Sequence, residues 1–262
     1  MMAAVPTGFR IDLGDGATIG ARRYPPADPR APVARLVLAH GAGAPQTHPF
    51  MVAFAGGLAD RGVDVVTFDF PYMEAGRRVP DPAPALERCF LRAIAAARAL
   101  PPAGPSGARS EARRAMPSLF IGGKSMGGRI ASHVAARHAA EAGDLAGLVF
   151  LGYPLHPPGR PDERRDAHLP AVAVPMLFVQ GSRDAFGTPD ELRPVLDALG
   201  SRAELLVVEH GDHSFVIARA AADSAAQTRG RRTVRAQVQA DLYARVQDGI
   251  VAWMRRVTAS GR

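Results

Sequence analysis

Short, uninterrupted apolar runs recur along this chain with helix-patterned segments between them, and this alternation is the strongest constraint on its fold. Residues 36–39, 63–68, 119–121, 147–151, 176–179 and 205–208 are Val-, Leu- and Phe-rich. They are too short for helices and too continuous for strands with one face in water. A strand buried on both faces has this signature, and such strands form parallel sheets covered by crossover helices. Residues 50–60, 85–100, the stretch after Ser125 and 189–199 read as those helices. Upstream, residues 9–13 and 17–22 flank Gly14-Asp15-Gly16 and read as an antiparallel hairpin. At the far end Val234, Val238, Leu242, Val246, Ile250, Trp253 and Val257 fall three or four apart and predict an amphipathic helix. The expected architecture is one α/β domain over residues 1–262, with a mostly parallel sheet flanked by helices.

Composition narrows the function. A chain of 262 residues, 47% hydrophobic, is long enough for one full core and short for two. No apolar stretch approaches the roughly 18 residues of a membrane span. Met1-Met2-Ala3-Ala4-Val5-Pro6 lacks the basic and apolar regions of a secretory leader. The single Cys89 cannot form an internal disulfide, and its helical neighbours predict a packing role. A cytoplasmic location is the expectation, with no membrane partner. The net charge of +7 comes mostly from scattered arginines. The densest group, Arg229, Arg231, Arg232 and Arg235, reads as a polar connector before the last helix and is not interleaved with aromatics, so no nucleic-acid partner is expected. Residues 101–117 read as a surface loop. The proline-rich residues 154–175 follow a strand at the edge of the sheet where ligand sites of open α/β folds lie; they are too short for a cap domain.

Chemistry enters at Gly123-Lys124-Ser125-Met126-Gly127. This G-x-S-x-G sits between an apolar strand and a helix, where a sharp turn lifts a serine hydroxyl out of the sheet and the flanking glycines avoid collisions. A serine needs a base, and the base needs an orienting acid. Asp184 follows the run 176–179 and His213 follows 205–208, so three strand ends on one edge can converge. The small-residue loop His40-Gly41-Ala42-Gly43-Ala44 ends an earlier strand. The backbone N–H groups of Ala42 and Met126 are the expected oxyanion donors. Asp212 and Asp69 are rival acids: Asp212 adjoins His213 too closely, and Asp69 reads as a loop brace. Among rival bases, His40 is expected to shape the oxyanion loop and His210 to precede the turn that presents His213. His156 is a candidate substrate-binding residue. His210-Gly211-Asp212-His213 lacks the companions of a metal site, and residue 118 is Ser where a phosphate-binding G-x-x-x-x-G-K-[ST] loop needs Gly.

On these residues, with Gly128-Arg129, Tyr153-Pro154-Leu155-His156-Pro157-Pro158-Gly159, Gln180-Gly181-Ser182-Arg183-Asp184-Ala185-Phe186-Gly187 and Ser214-Phe215, the chain resembles the α/β-hydrolase superfamily from about residue 8 onward. More narrowly it is similar to dienelactone-hydrolase-like proteins related to testis-expressed protein 30 and the hydrolase-like subunit of the non-specific-lethal complex. The resemblance implies an eight-stranded sheet without a large cap domain and a triad of Ser125, Asp184 and His213. Dienelactone hydrolases proper use cysteine where this chain has Ser125, so their substrate does not carry over. Lys124 either favours an anionic substrate or pairs with a carboxylate, and pairing is the expectation. The reading is a serine hydrolase of a small ester, thioester or related acyl bond that needs no cofactor. The alternatives are a non-catalytic interaction protein that keeps the fold, and an acyltransferase.

Overall fold

The computed structural model describes residues 5–14, 16–28, 31–101, 116–217 and 228–260, with the backbone alone for 228–235. Its strands are β1 (Thr7–Asp12), β2 (Thr18–Tyr24), β3 (Ala34–Ala39), β4 (Val63–Phe68), β5 (Leu119–Lys124), β6 (Gly147–Leu151), β7 (Met176–Gly181) and β8 (Ala203–Val208). They form one sheet in the order β1-β2-β4-β3-β5-β6-β7-β8. Only β2 runs against its neighbours, pairing antiparallel with β1 and β4. Every other pair is parallel. The longer helices are α1 (Pro49–Ala59), α3 (Ala83–Ala99), α4 (Met126–Arg137), α6 (Pro189–Leu199) and α7 (Thr228–Ser260), with short turns α2 (Pro71–Glu74) and α5 (Ala139–Ala142) between them.

The continuous apolar runs are explained by two cores, one on each face of the sheet. Along β3, Val37 and Ala39 enter one core while Leu36 and Leu38 enter the other, as the two-residue period of a strand requires. Phe90 and Ile94 of α3, Ile130 and Val134 of α4 and Leu192 of α6 cover the first face. Phe54 and Leu58 of α1 and Ile250 and Trp253 of α7 cover the second. The indole of Trp253 packs edge-on against Phe120 at 5.6 Å. A Cβ on Gly147 would lie 2.9 Å from it, so this glycine makes room for the ring. Cys89 is buried in the first core, where burial raises its thiol pKa.

Three readings of the sequence change. Helix α7 starts at Thr228, so Arg229, Arg231, Arg232 and Arg235 belong to the helix rather than to a connector; arginine is a good helix former, and charge alone did not break the element. The stripe on α7 is buried at Leu242, Val246, Ile250 and Trp253, but Val238 is 46% exposed, and the side chain of Val234 lies outside the described residues. Helix α3 starts two residues early because Pro84 fits its first turn. Of the predicted loop 101–117, residues 102–115 lie outside the description. Between β6 and β7 the chain is irregular apart from a 3-10 turn at Leu169–Ala171, and no cap domain is present among the described residues. No helix among them is long and apolar enough to cross a membrane.

One buried polar cluster ties the strands together. Asp64 on β4, 1% exposed, accepts two hydrogen bonds from the guanidinium of Arg23 on β2, both 2.8 Å, and two more from Arg35 on β3 at 2.8 and 2.7 Å. Arg35 also donates to the carbonyls of Ala97 and Leu100 at the end of α3. Removing the shared acceptor would leave two arginines uncompensated. Asp64→Ala is therefore expected to lower the unfolding free energy by about 3–5 kcal/mol, measured by urea denaturation; a loss under about 1 kcal/mol would show that the cluster is not a structural tie.

Candidate active site

Ser125 stands between β5 and α4 with φ 50° and ψ −116°, a backbone conformation that costs a non-glycine residue on the order of 1–3 kcal/mol. Its neighbours show how the turn is held. A Cβ on Gly127 would lie 2.5 Å from the carbonyl oxygens of Ala39 and His40, and one on Gly123 would lie 2.6 Å from Ala39 O. The start of α4 thus packs directly on the end of β3. The N–H of Ser125 donates to Leu151 O of the adjacent strand at 3.1 Å.

Two further strand ends converge here. Asp184, just past β7, is 1% exposed, and its Oδ2 accepts from His213 Nδ1 at 2.8 Å. The same oxygen accepts from Gln180 Nε2 at 2.8 Å, and Oδ1 accepts from the N–H of Phe186 at 2.8 Å. The ring of Phe186 stacks on His213 at 4.2 Å. With Nδ1–H donated to the carboxylate, Nε2 carries the lone pair. That atom is buried and has no hydrogen-bond partner. Ser125 and His213 line one cavity of about 450 Å³. No hydrogen bond joins Ser125 to His213; such contacts commonly tighten only when substrate binds.

The other acids and bases are occupied elsewhere. Asp212 accepts from the N–H groups of Ser214 and Val216 and so shapes the histidine loop. Asp69 accepts from the backbone and side-chain amides of Gln46, bracing the loop after β3. His210 has a positive φ and faces Arg183. His40 is fully buried. Its Nδ1–H donates to Gly41 O, its Nε2 accepts from the N–H of Phe70, and burial lowers its pKa. It therefore holds the loop as a neutral ring. Ala42 of that loop and Met126 both line the cavity. As the first residue of α4, Met126 has no intrahelical acceptor for its N–H, and the helix start favours negative charge there.

Two residues stand differently from the sequence expectation. His156 is turned away from the cavity lining: its Nδ1–H donates to Pro157 O, and Nε2 faces Glu191 Oε1 at 3.1 Å. Glu191 also closes the capping box of α6 with Thr188, so His156 anchors that helix start to the loop. Among the described residues Lys124 makes no salt bridge with a carboxylate. Its Nζ donates to the carbonyl of His213 and lies 5.6 Å from the centre of the Phe50 ring. It thereby ties the serine turn to the histidine loop. Gln180 went unassigned in the sequence. It is fully buried, bonds Asp184 and Gly187 O through its amide nitrogen, and accepts from the N–H of Tyr153. A glutamine closing an otherwise apolar strand was the available signal. Among the described residues, no group of three or more metal-ligating side chains occurs.

This strand order, with a serine turn after β5, an acid after β7 and a histidine after β8, defines an α/β-hydrolase fold. The chain belongs to the alpha/beta hydrolase domain family, which it matches over residues 32–239. Solved structures agree on the fold. A serine hydrolase described as lacking a lid, from Xanthomonas campestris, superposes with a TM-score of 0.62 at 18% identity, covering 95% of this chain and 94% of that one. A dienelactone hydrolase from Anabaena variabilis gives 0.61 at 18% identity, covering 92% and 98%. The esterase Est1E from Butyrivibrio proteoclasticus, with ferulic acid bound, gives 0.61 at 15% identity, covering 88% and 96%.

The buried Lys124 makes stability depend on pH. Desolvation lowers its pKa to about 8, against a partly offsetting pull from Asp184 and Asp212. Below about pH 8 the amine is charged in both folded and unfolded chains, and the burial penalty is fully present. Between there and the unfolded value of about 10.5 the unfolded chain binds more protons, so stability rises with pH. Urea denaturation at pH 7.5 and 10 is expected to show wild type gaining about 2–3 kcal/mol relative to Lys124→Met. A difference that does not change with pH would contradict this assignment.

Proposed function

We propose that this protein is a serine hydrolase that cleaves a small ester, thioester or related acyl bond. The observation that carries the reading is the Asp184–His213 contact, with the unpartnered Nε2 of His213 buried beside the cavity that Ser125 lines. In this reading Ser125 Oγ attacks the substrate carbonyl while His213 Nε2 takes its proton. The N–H groups of Ala42 and Met126 hold the oxyanion. The protonated imidazole then gives its proton to the leaving group, and Asp184 holds the ring in the required tautomer and stabilises its charge. Water, activated by the same histidine, releases the acid and restores Ser125. No step calls for a cofactor. The open cavity and the absence of a cap domain among the described residues suit a small substrate.

The test is labelling by a neutral fluorophosphonate probe. Wild type is expected to be labelled stoichiometrically and folded Ser125→Ala not at all. Asp184→Asn is expected to lower the labelling rate about 10⁴-fold, the size of effect produced by a wrongly oriented imidazole. Absence of Ser125-dependent labelling in folded protein would favour an interaction protein that keeps the fold. With labelling in hand, p-nitrophenyl esters of rising chain length bound the acyl pocket.

A further inference from the structure

The cavity wall holds two arginines whose guanidinium groups have no partner among the described residues. Arg129, on the first turn of α4, and Arg165, in the segment between β6 and β7, both line the cavity with Ser125 and His213. Both also line the adjoining hollow on the other side, with Arg137, Arg164, His133 and His168. The neighbouring basic side chains are engaged: His133 and Arg137 face Glu87, and Arg164 faces Asp166. His168 meets Ser132. Neither the Arg129 nor the Arg165 guanidinium has a hydrogen bond or ion pair among the described residues, and Arg129 Nε is buried without a partner. Among the described residues the cavity offers them no free counter-ion, since its wall carboxylate, Asp81, is held by Arg77 at 2.6 Å.

An unpartnered, partly buried guanidinium is costly, and two close together more so. Burial and the charge of Arg165 both act to lower the pKa of Arg129. The backbones that carry the two side chains are fixed. Arg129 N–H donates to Ser125 O at 3.1 Å, Arg165 N–H donates to Leu155 O at 2.9 Å, and Tyr153 Oη donates to Arg165 O at 2.7 Å. Planar, multidentate donors carried on fixed backbones suit a carboxylate or phosphate oxygen set.

We propose that Arg129 and Arg165 form an anion subsite, so that the preferred acyl substrate carries a carboxylate or phosphate group a few bonds from the scissile carbonyl. The spacing follows from the helix: Arg129 lies four residues beyond Ser125, about one turn or roughly 5–6 Å along α4. This deepens the serine-hydrolase reading and rests on it for the word substrate. The anion site itself is tested separately.

Two measurements decide the matter. In the first, inorganic phosphate and glutarate are titrated calorimetrically into Ser125→Ala protein, which needs no catalysis. Binding is expected, weakened at least 10-fold by adding Arg129→Gln or Arg165→Gln and partly restored by Arg165→Lys. In the second, monoethyl glutarate and ethyl 4-phosphonobutyrate are compared with the neutral ethyl valerate. The kcat/KM for at least one anionic ester is expected to exceed the neutral one 10-fold or more, with the ratio collapsing towards one in either Gln variant and in high salt. Which anionic ester leads distinguishes a carboxylate from a phosphate substrate. Circular dichroism checks folding; if Arg129→Gln unfolds, Arg165→Gln, in an irregular segment, decides. Absence of anion binding, or binding that neither arginine affects, would overturn the subsite. Arginine-dependent anion binding with no turnover of any ester would uphold the subsite and count against the serine-hydrolase reading.

Discussion

The close packing of the first turn of α4 on the end of β3 governs the site. Gly123 and Gly127 leave no space for a side chain against the carbonyls of Ala39 and His40, and this contact keeps Ser125 in a backbone conformation it would not adopt alone. The same contact joins the serine turn to the loop that follows β3, so the hydroxyl and the Ala42 amide share one rigid support. A side chain at either glycine would separate them. Strain at Ser125 is tolerated because two buried cores, one on each face of the sheet, hold β3 and β5 in register.

The remaining parts are held by polar groups that the apolar runs give no hint of. Gln180 holds Asp184, Gln46 and Asp69 hold the loop after β3, and the neutral ring of His40 bridges Gly41 and Phe70. Lys124 joins the histidine loop to the serine turn through the carbonyl of His213. Each sits behind a residue of the proposed chemistry and fixes its direction. Such preorganisation lets the donors act on a developing charge without rearranging.

Much of this was legible in the sequence because burial writes itself as pattern. Strands buried on both faces read as unbroken apolar runs, and glycines forced by close approach flank Ser125. Asp184 and His213 were legible because each follows such a run. The directions of polar side chains were not. Lys124 was expected to meet a carboxylate and instead meets a carbonyl; His156 was expected at the substrate and instead meets Pro157 and Glu191. Chain spacing fixes where a residue starts, whereas its partner depends on which groups the tertiary fold leaves unsatisfied. Arg129 and Arg165 were unreadable for the same reason, since being unpartnered is a property of the folded surroundings. Helix α7 reached back through an arginine-rich stretch because helix propensity there outweighs polarity.

If the three strand ends form one acyl-transfer unit, as proposed, Ser125 becomes acylated during turnover. Rapid mixing with p-nitrophenyl acetate, followed by peptide mapping of the quenched protein, should then give a burst of about one equivalent of nitrophenol per chain, the signature of an accumulating acyl-enzyme, with the acetyl group on the peptide containing Ser125. A folded protein that shows no burst and no acetyl adduct, or that carries the adduct on another residue, would contradict it.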